Sequence, residues 1–228
     1  MLTLGIDDAG RGPLIGPMIL AGVLLNLEQE KILKKYPIRD SKTVVHSTRI
    51  KLAPIIKDNS LAHKIAKAFP NEIDNSLQTG TNLNTLEAIK TAEIINSINT
   101  NQFQKEKIKV IVDCPSTNTS AWRNTLISYI SHTKNLEVLC EHKADVNHFA
   151  ASAASILAKV AREEEVEKIK QEFRSYGDTG SGYPADPITK KFLIKHGQTL
   201  KDSGIFRKTW ATWKELFPEK GQSTLESF

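Results

Sequence analysis

Four aspartates are the side chains best placed to do chemistry together. Asp7 and Asp8 follow the apolar run that starts at Thr3, Asp113 closes the run that starts at Lys109, and Asp145 comes just after a third run, Leu136 to Glu141. Where such runs are neighbouring strands of an open sheet, their carboxyl ends line one crevice, and acids from three strand ends can converge there. Clustered carboxylates repel and resist ionisation until a hard cation arrives. Oxygen-only ligands select Mg2+ or Mn2+ over zinc. Two such ions about 4 Å apart can activate a water and stabilise a leaving oxygen, the two-metal route to phosphodiester hydrolysis. A single strand-end aspartate more commonly caps a helix or fills a turn. The adjacent pair Asp7-Asp8 is different, since it carries a repulsion that a plain turn would not select. Adjacent strand residues point to opposite faces, so both reach one site only if the strand ends or bulges there, as Gly10 would permit.

The segment Gly10-Arg-Gly-Pro-Leu-Ile-Gly16 has the outline of a dinucleotide-binding turn, but that fingerprint needs its last glycines to open a helix. Pro13 and Pro17 bracket the segment and a strand-like run follows. The glycines are therefore read as bringing backbone groups close to a ligand, for which a sugar-phosphate chain is suited. Lys and Arg number 31 against 26 Asp and Glu, a net +5, and the excess is local. Between Asp186 and Lys214 stand seven basic residues (Lys190, Lys191, Lys195, Lys201, Arg207, Lys208, Lys214) and two acids, an imbalance equal to that of the whole chain. This points to a polyanion, with an ordinary solvated face as the alternative.

Cys114 and Cys140 form no C-x-x-C pair, which leaves no material for a disulfide framework or a thiolate zinc site. His142 and His148 lack a cysteine partner and are read as structural, or as supports behind a ligand, before ligands themselves. No apolar run approaches the length of a membrane span and the first residues lack a signal-peptide pattern. A soluble, cytoplasmic, monomeric protein without membrane contact is expected.

The elements that must position these residues follow from hydrophobic pattern. Strands are expected at Thr3–Asp7 and Met18–Leu25, as a hairpin, and then at Leu61–Phe69, Lys109–Asp113 and Leu136–Glu141. Asn82 to Asn99 carries Leu83, Leu86, Ile89, Ile94, Ile95 and Ile98 at near-helical spacing. From Asn147 one long helix is expected, alanine-rich to Ala161 and charged to about Glu172. Strands first and then strands alternating with helices argue for an α/β fold with a mixed sheet. A small helical piece follows Gly177, and a flexible tail spans Glu219 to Phe228.

Five blocks, in order, resemble the archaeal-type ribonuclease HII family over nearly the whole chain. They are Gly5-Ile-Asp-Asp-Ala-Gly-Arg-Gly-Pro13, Asp40-Ser-Lys42, Ile111-Val-Asp113, His142-Lys-Ala-Asp145 with Ala153-Ala-Ser-Ile-Leu-Ala-Lys-Val160, and Gly180-Ser-Gly-Tyr-Pro-Ala-Asp-Pro187. The resemblance implies a ribonuclease H-like fold: a central mixed five-stranded sheet flanked by helices, with a small C-terminal helical extension. Residues 1–176 would form the catalytic domain and 177–218 would complete the substrate groove. It implies an endonuclease that cuts the RNA strand of RNA/DNA hybrids and incises 5′ of single ribonucleotides embedded in duplex DNA. The products would carry 5′-phosphate and 3′-hydroxyl ends, a role in ribonucleotide excision repair and DNA replication.

By matching motif, Asp7, Asp8, Asp113 and Asp145 would be the catalytic, metal-binding acids, with two Mg2+ or Mn2+ ions during catalysis. The family usually has glutamate at the second position, and Asp8 is one methylene shorter. Gly10, Arg11 and Gly12 would present backbone to the 2′-hydroxyl, the group that separates RNA from DNA. Tyr183 would stack on the next sugar. Ser41, Lys42 and Lys143 would contact phosphates, and Ser155 would hold a DNA phosphate unless it merely packs a helix. In the tail, residues three apart eclipse in a single 3-10 turn, so Leu225 and Phe228 would form one apolar knob with Gln222 behind it. This is similar to the peptide that docks on a PCNA-type sliding clamp, of whose two closing aromatics the chain has the first. Two other classes compete: a non-catalytic nucleic-acid or clamp adaptor, which would tolerate loss of the acids, and another nuclease of the same fold, such as a resolvase, which would ignore the 2′-hydroxyl.

Overall fold

The computed structural model describes residues 1–38 and 44–218; Ser41, Lys42, Gln222, Leu225 and Phe228 lie outside the described residues. Strands β1 (Leu2–Ala9) and β2 (Met18–Leu25) pair antiparallel, with Asp7 opposite Ala21 and Asp8 opposite Leu20. β3 (Ala62–Ala68) joins β2 antiparallel, while β4 (Ile108–Asp113) and β5 (Leu136–Glu141) extend the sheet in parallel on the far side of β1. The order β3-β2-β1-β4-β5 is the expected mixed five-stranded sheet. β2 is buried at every residue, as a strand covered on both faces must be. The edge strand β3 carries His63, Lys64 and Lys67, charge that discourages further pairing.

The helices are α1 (Leu27–Leu33), α2 (His46–Asp58), α3 (Pro70–Gln78), α4 (Leu83–Ile98), α5 (Thr119–Ser128), α6 (Ala144–Asn147), α7 (Phe149–Glu172), α8 (Pro187–His196) and α9 (Ala211–Leu216). Asn26, Asn82 and Asn118 start α1, α4 and α5 by accepting backbone N–H bonds that would otherwise have no partner. One face of the sheet (Leu4, Ile6, Leu20) packs on Leu86, Ile94 and Ile95 of α4 and Trp122 of α5. The other (Ala9, Ile19, Ala21) packs on Ala150, Ala153, Ala154 and Leu157 of α7. Small residues let α7 lie directly on β1: a Cβ added at Gly5 would come within 2.1 Å of the Ala150 backbone. None of the helices is long and apolar enough to cross a membrane, among the described residues.

The long helix expected from Asn147 is α7, which begins two residues later at Phe149; the short turn α6 ahead of it is set off by extended His148 (φ −127°, ψ 124°). This junction is held from both sides. Asp113 at the end of β4 takes the Ala144 N–H (3.0 Å), and the Ser152 hydroxyl donates to the carbonyls of Asp145 and His148. In addition, the piece after Gly177 builds its apolar core around Leu14 and Ile15 of the β1–β2 connection, with Phe173, Phe192, Leu193, Phe206 and Trp213. Ile15 pairs as an isolated antiparallel bridge with Phe206, and the Gly16 N–H donates to the Ile205 carbonyl (2.9 Å).

Candidate active site

Asp7 and Asp8 lie within regular strand, since β1 runs on through Ala9 without ending or bulging at the acids. Pleating therefore sends them to opposite faces. Asp7 faces α7 and is hydrogen-bonded to Ser155 there, while Asp8 faces α4, where Arg11 and Glu87 lie. The site straddles the end of the sheet, and this, in place of the expected bulge, is how both side chains reach it. Asp7, Asp8, Asp113 and Glu87 line one small cavity with Thr91, Val112, Pro115 and Trp122.

Burial, reinforced by the charges of Asp8 and Asp113, pushes the Asp7 carboxyl from its usual 3.8 up to about 7. Asp8 rises to about 6, again chiefly through burial, with Arg11 pulling it down and Asp113 pushing it up. The Asp8 amide donates to Asp7 Oδ1 (2.8 Å), tying the pair together. Asp145 is buried one residue into α6, beside the Ala144 amide that Asp113 holds, and is not part of the cavity wall. Among the described residues no group of three or more His, Cys, Asp or Glu side chains is placed to hold a metal ion. The carboxylates of Asp7, Asp8 and Asp113 share a cavity and sense one another without forming a closed ligand cage.

Glu87 is a member of this site that the sequence reading missed. It is 2% exposed, forms an ion pair with Arg11, and is raised to about 8, first by burial and then by Asp8. Its signal was present in the sequence: Glu87 falls on the same helical line as Leu83, Thr91 and Ile94 of α4, a carboxylate in an otherwise core-facing row. Arg11 also donates to Asn84 Oδ1 (2.7 Å), so its side chain is spent on α4 and only its backbone serves the loop surface.

Next to the acids is an open cleft of about 300 Å³ lined by Asp8, Ala9, Gly10, Arg11, Gly12, Lys159, Arg162, Glu163 and Tyr183. Gly10 has φ +81°, and a Cβ there would lie 2.5 Å from Arg162 Cδ and 2.9 Å from the Pro17 carbonyl, so no other residue fits. Tyr183 faces Gly12 across the cleft, its ring carrying the Arg162 guanidinium at 5.0 Å. The Tyr183 loop is itself pinned. Asp186 starts α8, accepts from the Ser181 amide (2.6 Å) and hydroxyl (2.7 Å), and is held down at about 2 by those bonds.

Ser155 is fully buried and bonded to Asp7, so it has no surface to offer a phosphate; its contact steadies an acid. Lys143 is exposed at the head of α6 in the left-handed conformation (φ 60°), rare for a residue with a Cβ. His142 pairs with the Cys114 carbonyl (3.0 Å) and His148 with Glu141 (2.9 Å), as structural histidines do. Both cysteines are buried, and burial pushes the Cys140 thiol up to about 12. Within the basic stretch, Lys190, Lys191, Lys195, Lys201 and Lys214 are exposed, but Arg207 is wholly buried and belongs to no surface patch.

A family model described as Ribonuclease HII matches residues 4–213. A ribonuclease HII of Methanococcus maripaludis is 38% identical over 98% of this chain and 90% of its own length. Two solved structures superpose closely. The ribonuclease H2 of Pyrococcus horikoshii OT3 has a TM-score of 0.79 and 32% identity, covering 95% of this chain and 97% of its own. The ribonuclease HII of Archaeoglobus fulgidus, solved as a complex with PCNA, has a TM-score of 0.78 and 31% identity over the full length of both. With its acid-lined sheet end, its glycine loop opposite a tyrosine and this agreement over nearly every residue, the chain belongs to the ribonuclease HII family of type 2 ribonucleases H.

Proposed function

We propose that the chain is a metal-dependent endoribonuclease that hydrolyses the RNA strand of RNA/DNA hybrids and incises 5′ of single ribonucleotides in duplex DNA, leaving 5′-phosphate and 3′-hydroxyl ends. Family membership supports the hybrid activity. The observation that carries the finer reading is the cleft in which Gly10 to Gly12 and Tyr183 face one another with Asp8 in its wall. There a surface suited to testing a sugar adjoins acids suited to acting on its phosphate.

Asp7, Asp8, Asp113 and Asp145 would hold Mg2+ or Mn2+, two ions in the reaction. The donors fit in kind, being oxygen only, buried and mutually repelling. Bound ions would supply an activated water and charge neutralisation at the leaving oxygen. The chain's own groups do the rest. Ser155 and the Asp8 amide orient the Asp7 carboxylate. The loop amides and the Tyr183 ring select and align the ribonucleotide. Lys143, with Ser41 and Lys42, would grip phosphates, and Lys159 and Arg162 add positive charge along the cleft. Such contacts are to backbone, so cleavage would be independent of sequence.

The tail residues Gln222, Leu225 and Phe228 would dock on a PCNA-type clamp, a proposal supported by the complex known for the Archaeoglobus relative. The enzyme would work as a monomer in the cytoplasm, residues 1–176 supplying the acids and 177–218 completing the groove. The test is a nicking assay on a DNA duplex containing one ribonucleotide beside the same all-DNA duplex, with Mg2+ and Mn2+ in turn. A nick 5′ of the ribonucleotide alone is expected. Equal cutting of both duplexes, or none with either metal, would overturn the proposal.

A further inference from the structure

The loop Gly10 to Gly12 does not hold its own shape. Arg207, 191 to 197 residues further along, is completely buried and donates to two of its carbonyls, Nη2 to Gly10 (2.6 Å) and Nη1 to Arg11 (2.7 Å), and through Nε to the carbonyl of Gly16 beyond it (3.0 Å). The loop's remaining carbonyl, that of Gly12, accepts from the indole N–H of Trp210 (3.1 Å). The Trp210 ring in turn lies 4.9 Å from the Arg207 guanidinium. The clamp is fastened at its back by buried Asp74 of α3, which accepts from the Lys208 amide (2.7 Å) and from the amide (3.0 Å) and hydroxyl (2.6 Å) of Thr209. A buried guanidinium is costly unless its donors are used, and this one spends them on the loop.

The consequence lies on the opposite edge of the same peptide planes. None of the peptide bonds is cis among the described residues, so each N–H points away from the carbonyl of its own plane. Drawing the Gly10 and Arg11 carbonyls toward Arg207 aims the N–H groups of Arg11 and Gly12 the other way. The cleft with Tyr183 is lined by Gly10 to Gly12 but not by Arg207, so it opens on that other side. Pro13 has no N–H, so these two are the donors the loop can offer there. We infer that Arg207 and Trp210 are positioning residues for ribose discrimination: they preset two backbone N–H groups against the 2′-hydroxyl, and the C-terminal segment thereby fixes the specificity of a site whose acids lie at the other end of the chain. The inference rests on the proposed ribonucleotide recognition.

Its test uses a ratio that does not depend on how much protein is folded. The affinity of the full chain for a duplex with one ribonucleotide, divided by its affinity for the all-DNA duplex, is measured in EDTA for wild type, Arg207→Lys and Trp210→Phe, with a thermal melt of each. Lysine keeps the charge but not the fork, and phenylalanine keeps the ring but not the donor. The ratio is expected to fall by roughly tenfold for Arg207→Lys and by a few-fold for Trp210→Phe, the size of one or two lost hydrogen-bond constraints. All-DNA affinity should stay at the wild-type value. Should Arg207→Lys fail to fold, Trp210→Phe alone decides. A wild-type preference that survives in the folded variants, or affinities for both duplexes that fall together, overturns the inference and leaves the enzyme assignment standing. A wild-type ratio of one overturns ribonucleotide recognition and the inference with it.

Discussion

At the scale of single residues the site is a set of acids kept from their ordinary ionisation. Asp7 is raised to about 7 and Asp8 to about 6 because burial first, and then neighbouring carboxylates (Asp8 and Asp113 for Asp7, Asp113 for Asp8), disfavour their charged forms. A carboxyl raised above its unfolded value of 3.8 stabilises the fold only while protonated, so its contribution is complete below about pH 4 and is lost as pH rises through 7. In EDTA, Asp7→Asn should therefore melt several degrees above wild type at pH 8 and converge with it at pH 4. A difference that grows on acidification would contradict the burial account. Asp113→Asn tests the chemistry. Asparagine retains an oxygen to accept the Ala144 N–H, so α6 should stay in place while nicking falls to background; a folded variant with ordinary Mg2+-dependent activity would remove Asp113 from the reaction. Tyr183→Ala should impair cutting at a lone ribonucleotide more than in a long hybrid, as read by kcat/KM on the two substrates, because only the former presents a deoxyribose to the ring.

At the scale of elements, the acids depend on α7 lying close against β1. Gly5→Ala places a methyl group against the Ala150 and Ala151 backbones, which cannot yield as a flexible side chain would. A loss of roughly 2 kcal/mol or more in urea unfolding is expected, and an unchanged midpoint would mean that the helix can lift off without cost. Elements buried on both faces were readable in advance. β1, β2 and β4 were short apolar runs, α4 had a near-helical stripe and α7 announced itself by alanine, whereas the edge strand β3, interrupted by His63, Lys64 and Lys67, was legible only from its company. Helices α1, α2, α3 and α5 were not foreseen because they bury little: α2 sinks only Leu52, Ala53 and Ile56 and contains Pro54, and α5 sinks only Trp122 and Leu126. The short turn α6 ahead of α7 was not legible for another reason, since its first N–H is held by Asp113, a residue far away in the sequence. The same rule governs the site. Asp7, Asp8, Gly10, Arg11, Gly12 and Tyr183 sit in compact runs that can be read locally, whereas Glu87 and Arg207 acquire meaning only from partners 76 and 197 residues away.

At the scale of the whole molecule, charge and connectivity decide behaviour. Five exposed lysines of the stretch after Asp186 suit a phosphate backbone, so KM for duplex substrate should climb steeply with salt while kcat holds nearly constant. A KM indifferent to salt would place the substrate elsewhere. The connectivity carries a consequence for how such an enzyme is made. β1 to β5 and α7, and with them the acids, all precede Arg207 and Trp210 in the chain. Because carbonyls of the loop are held by those late residues, a copy truncated before them would keep the acids proposed to bind metal but would lack contacts that shape the surface proposed to test the ribose. On the proposed reading, discrimination would then be in place only once the molecule is nearly whole.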